Sequence, residues 1–154
     1  MSGDLTLQQL HQWRATLEAK FAVDGDLTVK TNPRRTGYHE FEILVPGYGL
    51  PLQAKIVHRE FYSRSGDRWH LARYTYHLAE YARGGKFGYH WHPLAGAHRG
   101  RGSIFHIICD RAGAGARRHF CAHQMGILEA HEALMQRVAS DHPIDCAGLY
   151  RLDR

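Results

Sequence analysis

The stretch RWHLARYTYHLAEYARGGKFGYHWH, residues 68–92, decides the fold of this chain. Apolar or aromatic residues occupy alternate positions of its two halves, namely Ala72, Tyr74, Tyr76 and Leu78, and then Phe87, Tyr89 and Trp91. Such alternation is typical of a strand that buries one face. Arg83-Gly84-Gly85 provides a short turn between the halves. The stretch therefore predicts an antiparallel hairpin with strands at about 68–82 and 86–92.

Strand patterns continue on both sides of this hairpin. The run HEFEILV at 39–45 alternates, the segment 52–62 is rich in β-branched and aromatic residues, and SIFHIICD at 103–110 is apolar on both faces. In contrast, the segments 27–37 and 111–118 contain turn-forming and basic residues, and we expect them to be loops.

Two helices are expected to flank these strands. The spacing of apolar residues predicts helices at 7–21 and 124–139, and Thr6 with Gln9 forms a capping-box pattern at the start of the first. The predicted fold class is α+β, an antiparallel β-meander of about five strands flanked by an N-terminal and a C-terminal helix. A chain of this length fits a single domain, residues 1–154.

Basic residues are concentrated in the second half of the chain. The net charge is +5 with histidines neutral, and seven lysines and arginines between Arg83 and Arg118 stand against one acid, Asp110. Such a patch attracts polyanions such as RNA, although it also suits an acidic partner protein or a merely solvated surface. The residues predicted to bind nucleic acid are Lys86, Arg99, Arg101, Arg117 and Arg118.

The sequence predicts a cytoplasmic protein without membrane association. No apolar run approaches the roughly 18 residues that a bilayer span requires, and the start MSGDLTLQQLHQW lacks the features of a secretory signal. The three cysteines, Cys109, Cys121 and Cys146, show no CxxC spacing, which is typical of reduced thiols.

Histidines gather on the polar face of the predicted hairpin. His90 and His92 share one face of their strand, about 7 Å apart, and pairing with the preceding strand adds His77 and Arg73. Imidazoles titrate near neutrality and serve as general base and general acid, while an adjacent arginine stabilises a phosphorane-like dianion. The predicted catalytic residues for metal-independent RNA cleavage are therefore His77, His90, His92 and Arg73, and Glu40 and Glu42 are candidates to join them.

Two other roles for these histidines stay open. His-x-His in a strand, with further imidazoles nearby, suits a zinc ion, and the alternative metal ligands are His90, His92, His98 and His106. The histidines are otherwise dispersed structural residues. For His131, near the apolar stripe of the last helix, we expect a semi-buried structural role, and the sequence shows no companion for His58.

The segments YTYHL (74–78), FGYHWHP (87–93), His98, FHI (105–107) and GILEAHEAL (126–134) follow one another in a characteristic order. Over about residues 40–135 this order resembles the TumE-type toxins of prokaryotic toxin–antitoxin pairs. The resemblance implies a growth-inhibiting toxin that is neutralised by a cognate antitoxin protein encoded beside it.

The expected function joins this resemblance to the histidine-rich face. We expect a toxin-like protein that acts on RNA as an endoribonuclease by histidine acid–base chemistry, with no cofactor. The alternative is a non-catalytic module that binds a metal such as zinc, or a small ligand, on the same face.

Overall fold

Seven strands lie between two helices. The computed structural model describes residues 4–32, 35–47, 53–81, 85–92, 104–111, 115–120 and 124–140. For Arg35, His92 and the strands at 104–111 and 115–120 it describes the backbone alone. In chain order the elements are α1 (Leu7–Phe21), β1 (Asp26–Asn32), β2 (Arg35–Val45), β3 (Ala54–Ser65), β4 (Arg68–Glu80), β5 (Gly85–His92), β6 (Ile104–Arg111), β7 (Gly115–Phe120) and α2 (Ile127–Ala139).

The strands form one antiparallel sheet in which neighbours in sequence are neighbours in space. Their order is β1-β2-β3-β4-β5-β6-β7, so each connection is a local one. The predicted α+β meander with a helix at each end is confirmed. The hairpin read from the sequence is β4 and β5, with a register that runs from Tyr74 opposite Trp91 to Glu80 opposite Gly85.

The sheet has two strands more than the five recognised in the sequence. β1 and β7 lie in segments that the sequence predicts as loops, and there the loop prediction is wrong. Both are edge strands, paired on one side only. β1 brings only Leu27 and Val29 to the border of the core, and the backbone pairing from Asp26 to Asn32 with β2 holds it in place. An edge strand needs little apolar alternation, so its sequence pattern was weak.

Both helices pack against the same side of the sheet, which we call the inner face. Its centre is formed by Phe41, Ile56, Tyr76 and Phe87, all almost completely buried. The helices cover it with a second layer of buried residues, Leu17 and Phe21 of α1 and Ile127, Ala130, Leu134 and Val138 of α2. The opposite side, the outer face, carries the intervening side chains of β1 to β5, and neither α1 nor α2 packs against it.

The ends of the helices follow from their sequence. α1 begins after Thr6, whose hydroxyl accepts from the backbone N–H of Gln9 at 3.2 Å, while the Gln9 side chain accepts from the Thr6 N–H at 2.8 Å. This is the predicted capping box. α2 begins at Ile127 rather than 124, with Gly126 as its N-cap. Neither described helix has the length and apolar character needed to cross a bilayer.

Candidate functional site

The candidate site lies on the outer face, where β3, β4 and β5 run side by side. The ladders place Arg59 of β3 opposite Thr75 of β4, and Thr75 opposite His90 of β5. The backbone of His90 in turn faces that of His106 on β6. His77 follows Thr75 two residues along β4 and therefore shares its face. Strand alternation thus brings two histidines, an arginine and a threonine from three strands onto one surface.

His77 and His90 are in direct contact. Their Nε2 atoms form a hydrogen bond, and their ring centroids lie 4.5 Å apart. They are diagonal neighbours, because the residue directly opposite His77 on β5 is Gly88. The structure thus confirms that strand pairing gathers these two imidazoles on one face.

Gly88 makes room for this contact. A Cβ atom at residue 88 would overlap the ring of His77 and lie 2.7 Å from the backbone oxygen of Tyr76. Real Cβ atoms essentially never approach backbone so closely, so residue 88 has to be glycine for the His77 ring to lie across β5. Gly88 is a site residue that the sequence analysis did not identify, because the alternation of side chains assigns no role to a residue without one.

The surroundings of His77 favour its neutral form. Burial lowers the pKa of His77, and the positive charges of Arg59 and Lys86 lower it further. A hydrogen bond between two Nε2 atoms needs one hydrogen and one lone pair. One of the two rings therefore supplies the hydrogen and the other the lone pair. The lowered pKa of His77 suits this residue to the role of a base.

Arg73 lies elsewhere on the outer face. Its guanidinium stacks on the ring of Phe61, with Cζ 3.8 Å from the ring centroid, and the residue is exposed. His77 lies four positions farther along β4, which corresponds to about 13 Å along the strand. The structure thus places Arg73 outside the histidine pair, and its predicted contact with a phosphate remains a prediction.

Arg59 is the arginine that acts on the pair, and the sequence analysis missed it. Its Nε donates to Glu40 at 2.9 Å, and its charge bears on His77. Its neighbour Thr75 has a buried hydroxyl oxygen with no hydrogen-bond partner among the described residues. The pairing register of β3 with β4 reveals that Arg59 borders the histidines, and the register of β4 with β5 places Thr75 opposite His90. Neither register can be read from the strand patterns alone.

Glu40 and Glu42 lie on the outer face but belong to a separate ion-pair network. Glu40 is bound by Arg59, Lys30 and the Tyr38 hydroxyl, and Glu42 by Lys30 and Lys55 at 3.1 and 2.9 Å. Burial acts to raise the pKa of Glu40, but these hydrogen bonds and the charge of Arg59 outweigh it and hold the pKa at about 2. Both carboxylates form ion pairs with these cations, so neither belongs to the histidine pair.

Several predicted site residues lie outside the described residues or are described by their backbone alone. Lys86 is exposed on the outer face, on the same side of β5 as His90. His92, His106, Arg117 and Arg118 are described by their backbone alone, and His98, Arg99 and Arg101 lie outside the described residues. The predicted roles of these residues remain predictions.

The predicted zinc site is not assembled within the part of the chain that the structure describes. No three His, Cys, Asp or Glu side chains converge there in a way that would hold a metal ion. Of the alternative ligands His90, His92, His98 and His106, only His90 has a described side chain. What the structure shows is a pair of imidazole nitrogens, and a closed zinc site requires more ligands than two.

No family model, curated protein or solved structure matches this chain. The resemblance to the TumE-type toxins therefore stays a prediction, and it depends on the segments YTYHL, FGYHWHP and GILEAHEAL. The first two segments are the strands that carry His77 and His90.

Proposed function

We propose that the protein is a toxin-like endoribonuclease of the cytoplasm, and that His77 and His90 are its general base and general acid. The observation that supports this is the contact between the two Nε2 atoms on the outer face. One imidazole offers a lone pair and can act as a base, and the other can act as an acid once it carries a second proton, which imidazoles take up near neutral pH. The net charge of +5 favours a polyanionic substrate.

The chemistry is an intramolecular transesterification of RNA. His77 Nε2 takes the proton of the ribose 2′-hydroxyl, and the 2′-oxygen forms a bond to the adjacent phosphorus. The bond from phosphorus to the 5′-oxygen breaks, and His90, which enters the reaction as a doubly protonated imidazolium, donates its Nε2 proton to that oxygen and becomes neutral. The products are a 2′,3′-cyclic phosphate and a free 5′-hydroxyl, so atoms and protons balance without a metal or a co-reactant.

Substrate binding has to separate the two rings. The attacking 2′-oxygen and the leaving 5′-oxygen lie on opposite sides of phosphorus, whereas the two Nε2 atoms of the free protein touch each other. A bound phosphate therefore replaces the hydrogen bond between the imidazoles and takes a position between them. Thr75, with its unpaired hydroxyl next to His90, and the guanidinium of Arg59 are placed to bind phosphate oxygens there.

The surrounding basic residues extend this surface for a longer strand. Lys86 lies on the same face of β5, and Arg73 stacked on Phe61 forms a flat cationic platform farther along β4. Arginine stacked on an aromatic ring suits contacts with a base or a neighbouring phosphate. The cognate partner implied by the family resemblance is an antitoxin protein that neutralises the activity.

A metal- or ligand-binding module without catalysis is the second candidate. The observation that favours it is the same convergence of two Nε2 atoms, since imidazole nitrogens that point at one another suit a shared metal ion. The two candidates differ in their response to chelators. A nuclease of the proposed kind keeps its activity in EDTA, whereas a metal module retains stoichiometric zinc, nickel or iron after purification.

The deciding experiment measures cleavage of a mixed-sequence RNA by the purified protein in EDTA. The His77→Ala and His90→Ala variants are expected to lose at least 100-fold in rate, and His11→Ala, which changes an exposed histidine of α1, is the matched control. Products with cyclic phosphate ends support the mechanism. If both variants cleave as fast as the parent, or if no RNA is cleaved while elemental analysis finds bound metal, the nuclease proposal is wrong.

A further inference from the structure

A second group of titratable side chains lies under the helices and plays no part in the proposed reaction. His131 Nε2 lies 2.9 Å from the Asp24 carboxylate oxygen Oδ2, and His131 Nδ1 lies 3.0 Å from His58 Nε2. The three residues come from the turn after α1, from α2 and from β3. This hydrogen-bonded chain therefore ties α2 both to the sheet and to the end of α1.

The hydrogen-bonded series Asp24–His131–His58 runs from the surface to the centre of the core. The side chain of Asp24 is 28 % exposed, whereas His131 is 2 % and His58 0 % exposed. The ring of Phe21 contacts both imidazoles, with centroids 5.0 Å from His58 and 4.4 Å from His131. Buried polar groups normally require hydrogen-bond partners, and His58 Nδ1 has none among the residues that the structure describes.

The hydrogen-bond partners determine which nitrogen of each imidazole carries the hydrogen before an additional proton is bound. The Asp24 carboxylate accepts hydrogen bonds, so His131 carries its hydrogen on Nε2 and presents a lone pair at Nδ1. His58 must then donate from Nε2. Its own Nδ1 is left as a lone pair in the core without a hydrogen-bond partner among the described residues.

An additional proton on either imidazole leaves one buried N–H group without a hydrogen-bond acceptor. If it binds His58 directly, Nδ1 becomes a buried N–H with no acceptor. If it binds His131 at Nδ1, His58 has to accept there and move its own hydrogen to Nδ1, with the same outcome. A buried donor without an acceptor is costly, whereas both imidazoles would be solvated if α2 moved away from the sheet.

We propose that Asp24, His131 and His58 form a pH-responsive clasp, a hydrogen-bonded group that holds α2 on the sheet and releases it when an additional proton enters the group. The clasp is independent of the proposed RNA cleavage. Its opening uncovers the inner face around Tyr74, Tyr76 and Leu78, which is otherwise among the most buried surfaces of the described chain.

The side chains around these three residues also favour release of α2 at low pH. Phe21 of α1 and Phe41 of β2 bring no charge, and Tyr76 of β4 directs its hydroxyl to Glu60 at 2.8 Å rather than to His58. Burial lowers the pKa of His58, and the charges of His131 and His77 lower it further. Released histidines titrate near pH 6.5. The stabilisation by the clasp is therefore complete above about pH 6.5 and is lost as the pH falls below it.

Hydrogen exchange of the α2 backbone amides tests the proposal. Measured between pH 7.5 and 5.0 and corrected for intrinsic exchange, the protection of residues 127–139 is expected to fall about tenfold per pH unit below about pH 6.5 for each proton taken up. Protection of α1 is expected to fall less. Unchanged protection of α2 over this range would overturn the proposal.

His131→Gln is the informative variant. A glutamine amide can donate to Asp24 and accept from His58, as neutral His131 does, but it takes up no proton in this range. Its α2 exchange is expected to depend less steeply on pH than that of the parent, because His58 is then the only imidazole of the group. His39→Gln is the matched control, because burial, followed by the charges of Arg14 and His11, lowers the pKa of His39 to about 4. The acid response of α2 should persist in that variant, and an equal response in His131→Gln would refute the clasp.

A measurement on the unchanged protein covers the case in which His131→Gln does not fold. Nitrogen chemical shifts of the imidazoles distinguish the two neutral tautomers. We expect His58 and His131 both to carry hydrogen on Nε2 at pH 7.5, and His58 to remain neutral in the folded state at pH 5.0. Observation of His58 with its hydrogen on Nδ1 at pH 7.5 would rule out the hydrogen-bond order on which the clasp depends.

Discussion

The ring of His77 lies over Gly88, the residue that faces it across the β4–β5 ladder. This relationship allows two imidazoles in non-opposed positions to touch. With any side chain at residue 88, the His77 ring would have to turn away from β5, and the added Cβ would still lie 2.7 Å from the backbone oxygen of Tyr76. The histidine pair therefore depends on the absence of a side chain as much as on the two histidines themselves.

Gly88→Ala is accordingly expected to separate the pair. RNA cleavage should fall at least 100-fold, comparable with His77→Ala, because the base no longer stands next to the acid. Overpacking against Tyr76 is expected to cost about 1–3 kcal/mol of unfolding free energy, measured by denaturant titration. Gly126→Ala is the control. It costs about 1 kcal/mol by weakening the N-cap of α2, but its Cβ meets no atom within 4 Å. Loss of cleavage in both variants would trace the effect to stability instead.

The pH dependence of RNA cleavage should show which arginine, Arg59 or Arg73, influences the pKa of His77. His77 must be neutral to act as base, and because its pKa is lowered, the acid limb of the rate profile is expected below pH 6.5. Arg59→Gln removes one cause of the lowered pKa. The limb should therefore move to higher pH, because a positive charge next to His77 disfavours its protonated form.

Arg73→Gln provides the contrast to Arg59→Gln. Arg73 lies on Phe61, away from the pair, so its loss should raise KM while the position of the acid limb stays the same. A limb that moves with Arg73 and not with Arg59 would return the catalytic arginine to the residue that the sequence analysis chose. The measurement is kcat and KM between pH 5 and 8 for the parent and both variants.

The central strands could be predicted from the sequence because one face of each is buried. Tyr74, Tyr76 and Leu78 alternate with polar residues, and this alternation decides which way His77 points. The edge strands β1 and β7 could not be predicted in the same way. They are held by backbone pairing on one side, and a pattern of side chains carries little information about that.

The candidate site was predictable in its histidines but not in their neighbours. Alternation places His77 and His90 on the outer face, whereas the position of Arg59 beside them depends on the register between β3 and β4. The same limit applies to the buried chain of Asp24, His131 and His58. These residues lie more than 30 positions apart in sequence, and only the packing of α2 on the sheet brings them together.

Glu60 on the inner face is expected to make stability depend on pH in an unusual direction. Its carboxyl is 2 % exposed and accepts from Tyr62 at 2.9 Å and Tyr76 at 2.8 Å. Burial raises the pKa of Glu60, and the hydrogen bonds only partly oppose it. The folded state thus keeps the proton longer than the unfolded state does, so the stabilisation is complete below about pH 4.3 and is lost as the pH rises through the folded pKa.

Glu60→Gln removes this dependence, because an amide has no proton to lose and bonds to both tyrosine hydroxyls. The variant should gain stability over the parent as the pH rises from 4 to 8, by about 1.4 kcal/mol for each unit by which the pKa is raised. Thermal unfolding at pH 4 and pH 8 measures the difference. A variant that loses stability more at pH 8 than at pH 4 would show that the carboxylate is favourably charged in the fold.

Glu40 on the outer face should show the opposite sign. Its pKa is about 2, below the ordinary value of 4.5, so its ion pairs stabilise the fold above about pH 4.5, and this stabilisation is lost as the pH falls toward 2. Glu40→Gln is expected to cost about 2 kcal/mol at pH 7, after allowance for solvent around its half-exposed partner Arg59. Glu18→Gln on α1 breaks a more exposed pair with Arg14 and should cost less than about 0.5 kcal/mol. Denaturant titrations at pH 7 and pH 2.5 distinguish the cases. The difference between Glu40→Gln and the parent should shrink strongly at the lower pH, and an undiminished difference would mean that Glu40 contributes through packing instead of charge.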